Sequence, residues 1–159
     1  MQFKTWLSIT ESVPDDLNRK LKHFFSRPEP YEILDSCEIN GTFQAGACWI
    51  GAEVIARYLT AMGLKAEIYA VWDHGRSHDD ELSPEPIQQH VVVKVKDSYI
   101  DSDGVHTAQQ LLNKMIRYEG LEKPSLAPFN PKAAGEIITN KSAVNRLYKS
   151  LVAAIGSPE

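Results

Sequence analysis

Cys48-Trp49 opens an apolar run, His90 heads a valine-rich segment, and Asp101 follows Tyr99-Ile100. These three residues have the types and order that covalent chemistry needs. A thiol attacks as the thiolate, and a helix N-terminus favours that form through its partial positive charge and unpaired N–H groups. A histidine on a neighbouring strand can take and return the proton, and a carboxylate can hold the imidazole in one tautomer. The same N–H groups can receive the oxyanion of a tetrahedral intermediate. Gln44, just upstream, could add a side-chain donor, and Gly46 would let the backbone approach a substrate closely. Trp49 could line a cleft or pack in the core, and Gln89 could bond substrate or face solvent.

Each of these residues also has an ordinary use. Cys48 lies on an apolar stripe, where inert buried cysteines are common. His90 alone reads as a strand-end histidine, and Asp101-Ser102-Asp103-Gly104 as a turn. Only their combination points to catalysis. His74 and His78, with Asp73, Asp79 and Asp80, have a metal-like spacing, but they fall among solvating charges in a loop. A lid over a cleft fits that segment better, and no metal or organic cofactor is expected. Cys37 has no chemical role on this reading.

The elements that must position these residues follow from periodicity. Pro14 suits the first turn of a helix over 14–26, with Ser12 as N-cap and Leu17, Leu21, Phe24 and Phe25 at helical spacing. Pro28 and Pro30 end it, and 31–47 reads as irregular. Cys48 to Met62 forms the second helix, with Gly63 just past its end. Its apolar stripes leave only Glu53, Arg57 and Thr60 polar, so it is a largely buried helix. Residues 65–72 alternate as a strand, with Ala66, Ile68, Ala70 and Trp72 on one face; 73–88 is a mobile loop. His90 to Val95 is a strand, turned near Lys96-Asp97-Ser98 into Tyr99–Asp101 as a hairpin. Thr107 and Gln110 form a capping box for a helix over 108–118, with Leu111, Leu112, Met115 and Ile116 inward. Residues 119–140, with three prolines, are an extended connection, and 142–155 is a last helix burying Val144, Leu147, Leu151 and Ile155. The expected fold is α+β, an antiparallel sheet packed on a buried central helix that carries the nucleophilic cysteine at its N-terminus.

Hairpin register decides whether the site can exist. A four-residue connection puts His90 opposite Asp103 with Asp101 diagonal to it. A two-residue turn is expected to keep all three on one face but to move both aspartates away, and a three-residue turn to put His90 on the other face. A bulge could change any of these. Asp101 is favoured over Asp103 as orienter because it directly follows the apolar pair, whereas Asp103-Gly104 reads as the turn that ends the strand.

With 159 residues, a single domain spanning 1–159 is the natural expectation, long enough to bury a core. A hydrophobic fraction of 43% and net charge of −4 are those of an ordinary globular chain with no electrostatic footprint for nucleic acid or an anionic membrane. No apolar run approaches the roughly 20 residues that span a bilayer. MQFKTWLSITES turns polar too early for a secretory signal, so a cytoplasmic protein is expected, with Cys37 and Cys48 as free thiols rather than a bridge. Nothing here speaks to oligomeric state.

The segments Gln44-Ala45-Gly46-Ala47-Cys48-Trp49, His90-Val91-Val92-Val93 and Tyr99-Ile100-Asp101 together resemble the papain-like and transglutaminase-like cysteine protease superfamily. Papain-type enzymes carry Cys-Trp and an upstream oxyanion glutamine; Gln44 is nearer the cysteine than that pattern has it. The order and compact hairpin look more like transglutaminase-like peptidases and arylamine N-acetyltransferases. The resemblance covers roughly residues 41–105. It implies a cysteine-dependent hydrolase acting on an amide or isopeptide bond of a peptide or protein, with Cys48 as nucleophile, His90 as general base and Asp101 as orienter. A non-enzymatic peptide- or protein-binding module on the same fold is the alternative, as is a transglutaminase- or N-acyltransferase-like transferase acting on a partner protein.

Overall fold

A computed structural model describes residues 13–44, 46–75, 87–130 and 140–158. The described elements are α1 (Asp15–Ser26), α2 (Pro28–Ser36), α3 (Cys48–Ala61), β1 (Glu67–Asp73), β2 (Ile87–Val95), β3 (Ser98–Asp101), β4 (Gly104–Thr107), α4 (Ala108–Glu119), β5 (Pro124–Pro128) and α5 (Lys141–Ile155). The strands form one antiparallel sheet in the order β4-β3-β2-β1-β5. The architecture is α+β, as expected from the sequence.

Both faces of the sheet are covered, which explains why its central strands are apolar on both sides. On one face Val91, Val93, Val95 and Ile100 join residues of α1, α2, α3 and α5, including Leu21, Phe24, Leu34, Ile55, Leu59 and Leu147. On the other, Val71, Val92 and Tyr99 pack with Leu111 and Met115 of α4. Helix α3 lies against β1, β2 and β3 with α5 behind it, and Ile50, Ala52, Val54, Ile55 and Leu59 are buried along it.

Several expectations need correction. Pro28 and Pro30 do not simply end a helix. Arg27 adopts an extended conformation and breaks α1, and Pro28 then begins α2 within the stretch expected to be irregular. Proline lacks an N–H, which costs nothing in a first helical turn. Residues 104–107 form β4 rather than only a turn, and 124–128 form β5 against β1. Proline is tolerated in β5 because that strand lies at the sheet edge. His90 is not the first residue of its strand, since β2 begins at Ile87. The capping box at Thr107 and Gln110 is present with both bonds made. Ile116 on that helix is 46% exposed rather than inward. The proposed N-cap Ser12, and the loop residues Arg76, His78, Asp79 and Asp80, lie outside the described residues.

Candidate active site

Cys48 is the first residue of α3, and the segment before it is anchored in the core. Phe43 is fully buried and makes edge-to-face contacts with Phe25 and Tyr31, their ring centroids 4.9 and 5.2 Å away. Ala47 N–H donates to the Thr42 carbonyl at 3.0 Å, which closes the loop. Gly46 has φ of +92°, and a Cβ there would meet the Asn40 carbonyl oxygen at 3.2 Å. Its glycine is therefore required by the loop's own backbone. Ala47, the N-cap of α3, offers no side-chain cap, so the first-turn N–H groups are left for another acceptor.

The hairpin supplies the other two residues. Val95 pairs with Ser98, Lys94 with Tyr99 and Val93 with Ile100 across a two-residue turn. Extended by three residues, this register sets His90 level with Asp103 and diagonal to Asp101. The two-residue turn, expected to move the aspartates away, gives the register that was assigned to a four-residue connection, because Val95 and Ser98 themselves pair. Pairing of β2 with β3 stops at Val93 and Ile100, and opposite β1 the register shifts between Val71 and Trp72, leaving Gln89 without a partner. Such a bulge re-aims the residues beside it.

His90 is 1% exposed and Asp101 3% exposed. The His90 Nε2–H donates to Asp101 Oδ2 at 2.9 Å, because a carboxylate is an acceptor only. Asp101, not Asp103, thus meets His90. The remaining ring nitrogen, Nδ1, is buried and makes no hydrogen bond of normal geometry. The Cys48 thiol is the other group that raises the His90 pKa.

The electrostatics of the three groups agree. Burial alone would raise the Cys48 thiol, but His90 and the backbone N–H groups of Val91 and Trp49 outweigh it and lower its pKa. Burial alone would lower His90, but Asp101 and Cys48 raise it to about 9. Burial would raise Asp101 too, yet His106, His90 and Lys114 hold it well below the usual carboxylate range. The arrangement favours a thiolate–imidazolium pair backed by an anion.

Asp101 has four donors. His90 Nε2 and Lys114 Nζ reach Oδ2 at 2.9 and 3.2 Å, and His106 Nε2 and the Asp103 N–H reach Oδ1, each at 2.9 Å. A carboxylate has about four lone-pair sites, so this one is filled and cannot turn freely. Sequence reasoning missed His106 and Lys114. The signal for His106 was strand alternation through Gly104–Thr107, and Lys114 lay on a helix read only for its apolar face.

Gln44 belongs to the same network. Its Nε2 donates to Ser102 Oγ and its Oε1 accepts from Lys114 Nζ at 3.3 Å. The amide is thus linked to Asp101 through Lys114. Trp49 packs against the larger core cluster and also lines a cavity of about 240 Å³ with Cys37, Ile39, Asn40 and Gly46. Gln89 is half-buried on the bulge. Asp103 is half-exposed and ion-paired with Lys114 at 2.6 Å. Away from the site, His74 bonds Ser125 at 2.7 Å. Asp73 is buried and accepts backbone N–H bonds from Gly75, Glu122 and Lys123. Both cysteines are free. No helix among the described residues is long and apolar enough to cross a membrane.

Comparisons with protein-family models, with curated proteins and with solved structures return no match.

Proposed function

We propose that this protein is a cysteine-dependent acyl-transfer enzyme of the papain-like or transglutaminase-like kind, acting on an amide or isopeptide bond of a peptide or protein. The observation that carries this reading is the half-buried Cys48 beside a buried His90–Asp101 pair, bonded at 2.9 Å. An inert core cysteine has no need of a buried imidazole and carboxylate aligned behind it, and burying them uncompensated would be costly.

In the first step the Cys48 thiolate attacks the carbonyl carbon, and the C–S bond forms as the carbonyl π electrons move to oxygen. Uncapped N–H groups of the first turn of α3 are the available donors for that oxyanion. The tetrahedral intermediate collapses, the C–N bond breaks, and the imidazolium of His90 gives its proton to the leaving amine. Water then attacks the thioester while His90 takes its proton, and the C–S bond breaks to release acid and thiolate. An amine in place of water completes transfer instead, by the same protein groups.

The test is the pH dependence of iodoacetamide alkylation, with mass spectrometry reporting Cys37 and Cys48 separately. Cys48 is expected to react fast well below pH 8 and to slow at least tenfold in His90→Ala. If Cys48 instead titrates as an ordinary thiol near about 8.5, catalysis through it fails and a peptide- or protein-binding module is the better account.

A further inference from the structure

The Lys114 ammonium is held by three partners. Its three N–H donors have three acceptors: Asp101 Oδ2 at 3.2 Å, Asp103 Oδ2 at 2.6 Å and Gln44 Oε1 at 3.3 Å. These belong to three separate segments, the end of β3, the β3–β4 turn and the loop that leads into Cys48. The side chain is only 21% exposed. On an amphipathic helix whose other polar residues face solvent, this lysine is directed inward, at the orienter.

The oxygen that Lys114 contacts on Asp101 is the one that binds His90. The ammonium and the imidazole therefore share one acceptor atom and lie within about 6 Å of each other. Two cations competing for one oxygen weaken each other's hold on it. An orienter left uncompensated would keep the imidazolium too stable to release its proton to a leaving group. A general acid–base works best when its pKa lies near the working pH.

We propose that Lys114 is a positioning and tuning residue of the site, one that restrains the basicity of His90 by sharing Oδ2 of Asp101 and ties the cysteine loop to that carboxylate through Gln44. The role rests on the catalytic reading of Cys48, His90 and Asp101. The groups that set the balance are Asp101, Asp103 and His106 on the β3–β4 hairpin, Lys114 on α4 and Cys48 on α3; Tyr31 on α2 feels the Asp103 charge.

Asp101 keeps His106 and the Asp103 N–H when Lys114 is removed, so its position survives and charge governs the outcome. Loss of a cation about 6 Å from the imidazole, at an effective dielectric of about 40, between the protein-surface and bulk-water values, raises the His90 titration midpoint by about one pH unit.

The experiment is a titration of the full chain labelled with ¹³C-histidine, the His90 resonance being assigned by its loss in His90→Gln. Lys114→Met is expected to raise the His90 midpoint by about one unit. Lys114→Gln, which can still bond Gln44 and Asp103, is expected to do the same and guards against a fold defect in the methionine variant. Lys114→Arg is expected to restore the wild-type midpoint to within about 0.3 unit. A midpoint that stays put or falls in both uncharged variants overturns the proposal. Cys48 alkylation in the same samples separates the two claims. An ordinary Cys48 beside a Lys114-dependent His90 refutes catalysis and leaves the network standing; an activated Cys48 beside a His90 indifferent to Lys114 does the reverse.

Discussion

Replacing Asp101 by asparagine tests the core of the site, because the isosteric amide removes the charge and keeps the shape. In the wild-type protein His90 titrates at about 9, so at pH 7 about 99% of it carries a proton. Asp101 is the chief support of that state against burial, which by itself pulls the imidazole below its ordinary 6.5. Without the carboxylate, His90 is expected to be mostly neutral at pH 7.5. Cys48 then loses the cation that lowers it, while the burial that raises it remains. A thiol at about 8.5 is only about 1% thiolate at pH 6.5, and one raised above that value is less. Alkylation of Cys48 at pH 6.5 is therefore expected to fall at least tenfold, with a profile still rising past pH 9. Asparagine must also turn its NH₂ toward one pair of donors, so a stability loss of about 3 kcal/mol accompanies the change. Cys37, alkylated in the same tube, reports whether the fold persists. Asp103→Asn is the contrast, since Asp103 is 53% exposed and touches Lys114 rather than His90; it is expected to change the rate less than about threefold. Unchanged alkylation in Asp101→Asn, with the fold intact, would refute the reasoning that Asp101 sustains the ion pair.

Two further outcomes follow from packing and from linkage. Gly51→Ala brings a Cβ to 3.1 Å from Phe43 Cδ1. The helix gains about 1 kcal/mol from alanine, but overpacking a buried ring costs about 1–3 kcal/mol, so a net loss of about 1 kcal/mol is expected in urea unfolding; a gain would mean that the Phe43 loop yields freely. In Cys48→Ala the His90–Asp101 pair remains while the thiol's own titration is gone. A histidine whose folded pKa is raised contributes stability fully below about 6.5, and loses it as pH rises through the folded value. Thermal unfolding between pH 5.5 and 9.5 should therefore show stability declining by about 1–2 kcal/mol toward alkaline pH, and a rise across that window would contradict a raised His90.

Periodicity made the helices around Leu21, Ile55 and Leu147 legible, because their apolar residues recur at helical spacing and meet in one core. It also placed Cys48, His90 and Asp101 in the right elements. What it missed has a common cause: the short segments take their structure from neighbours rather than from their own pattern. Residues 124–128 become a strand because the free edge of β1 is there to receive them, and two prolines in five residues hide this. Residues 28–36 become helical because their apolar residues Ile33 and Leu34 reach the core shared with α1 and α5. Gln44 was read beside Cys48 in the chain, but in space its amide meets Ser102 and Lys114, and no local rule connects positions so far apart.

The site depends on the hairpin being left incomplete. Had β2 and β3 paired beyond Val93 and Ile100, the backbone around Val91 would be committed to the ladder. As it is, the Val91 backbone N–H helps hold the Cys48 thiol pKa down at the point where β2 and β3 part. The same separation frees Asp101, which pairs only with Gly104 across the tight turn into β4, to present both oxygens sideways to His90, His106 and Lys114. Burial of the ionisable His90 and Asp101 would otherwise be strongly unfavourable. Here each charge is met by a fixed partner, and the buried Phe43 holds the cysteine loop against the same core that supports β2. Cys48 comes from a helix start, and His90 and Asp101 from one hairpin further along the chain. On the proposed reading their alignment is built into the folded state, so no reorganisation of the protein is needed when charge develops on a bound carbonyl.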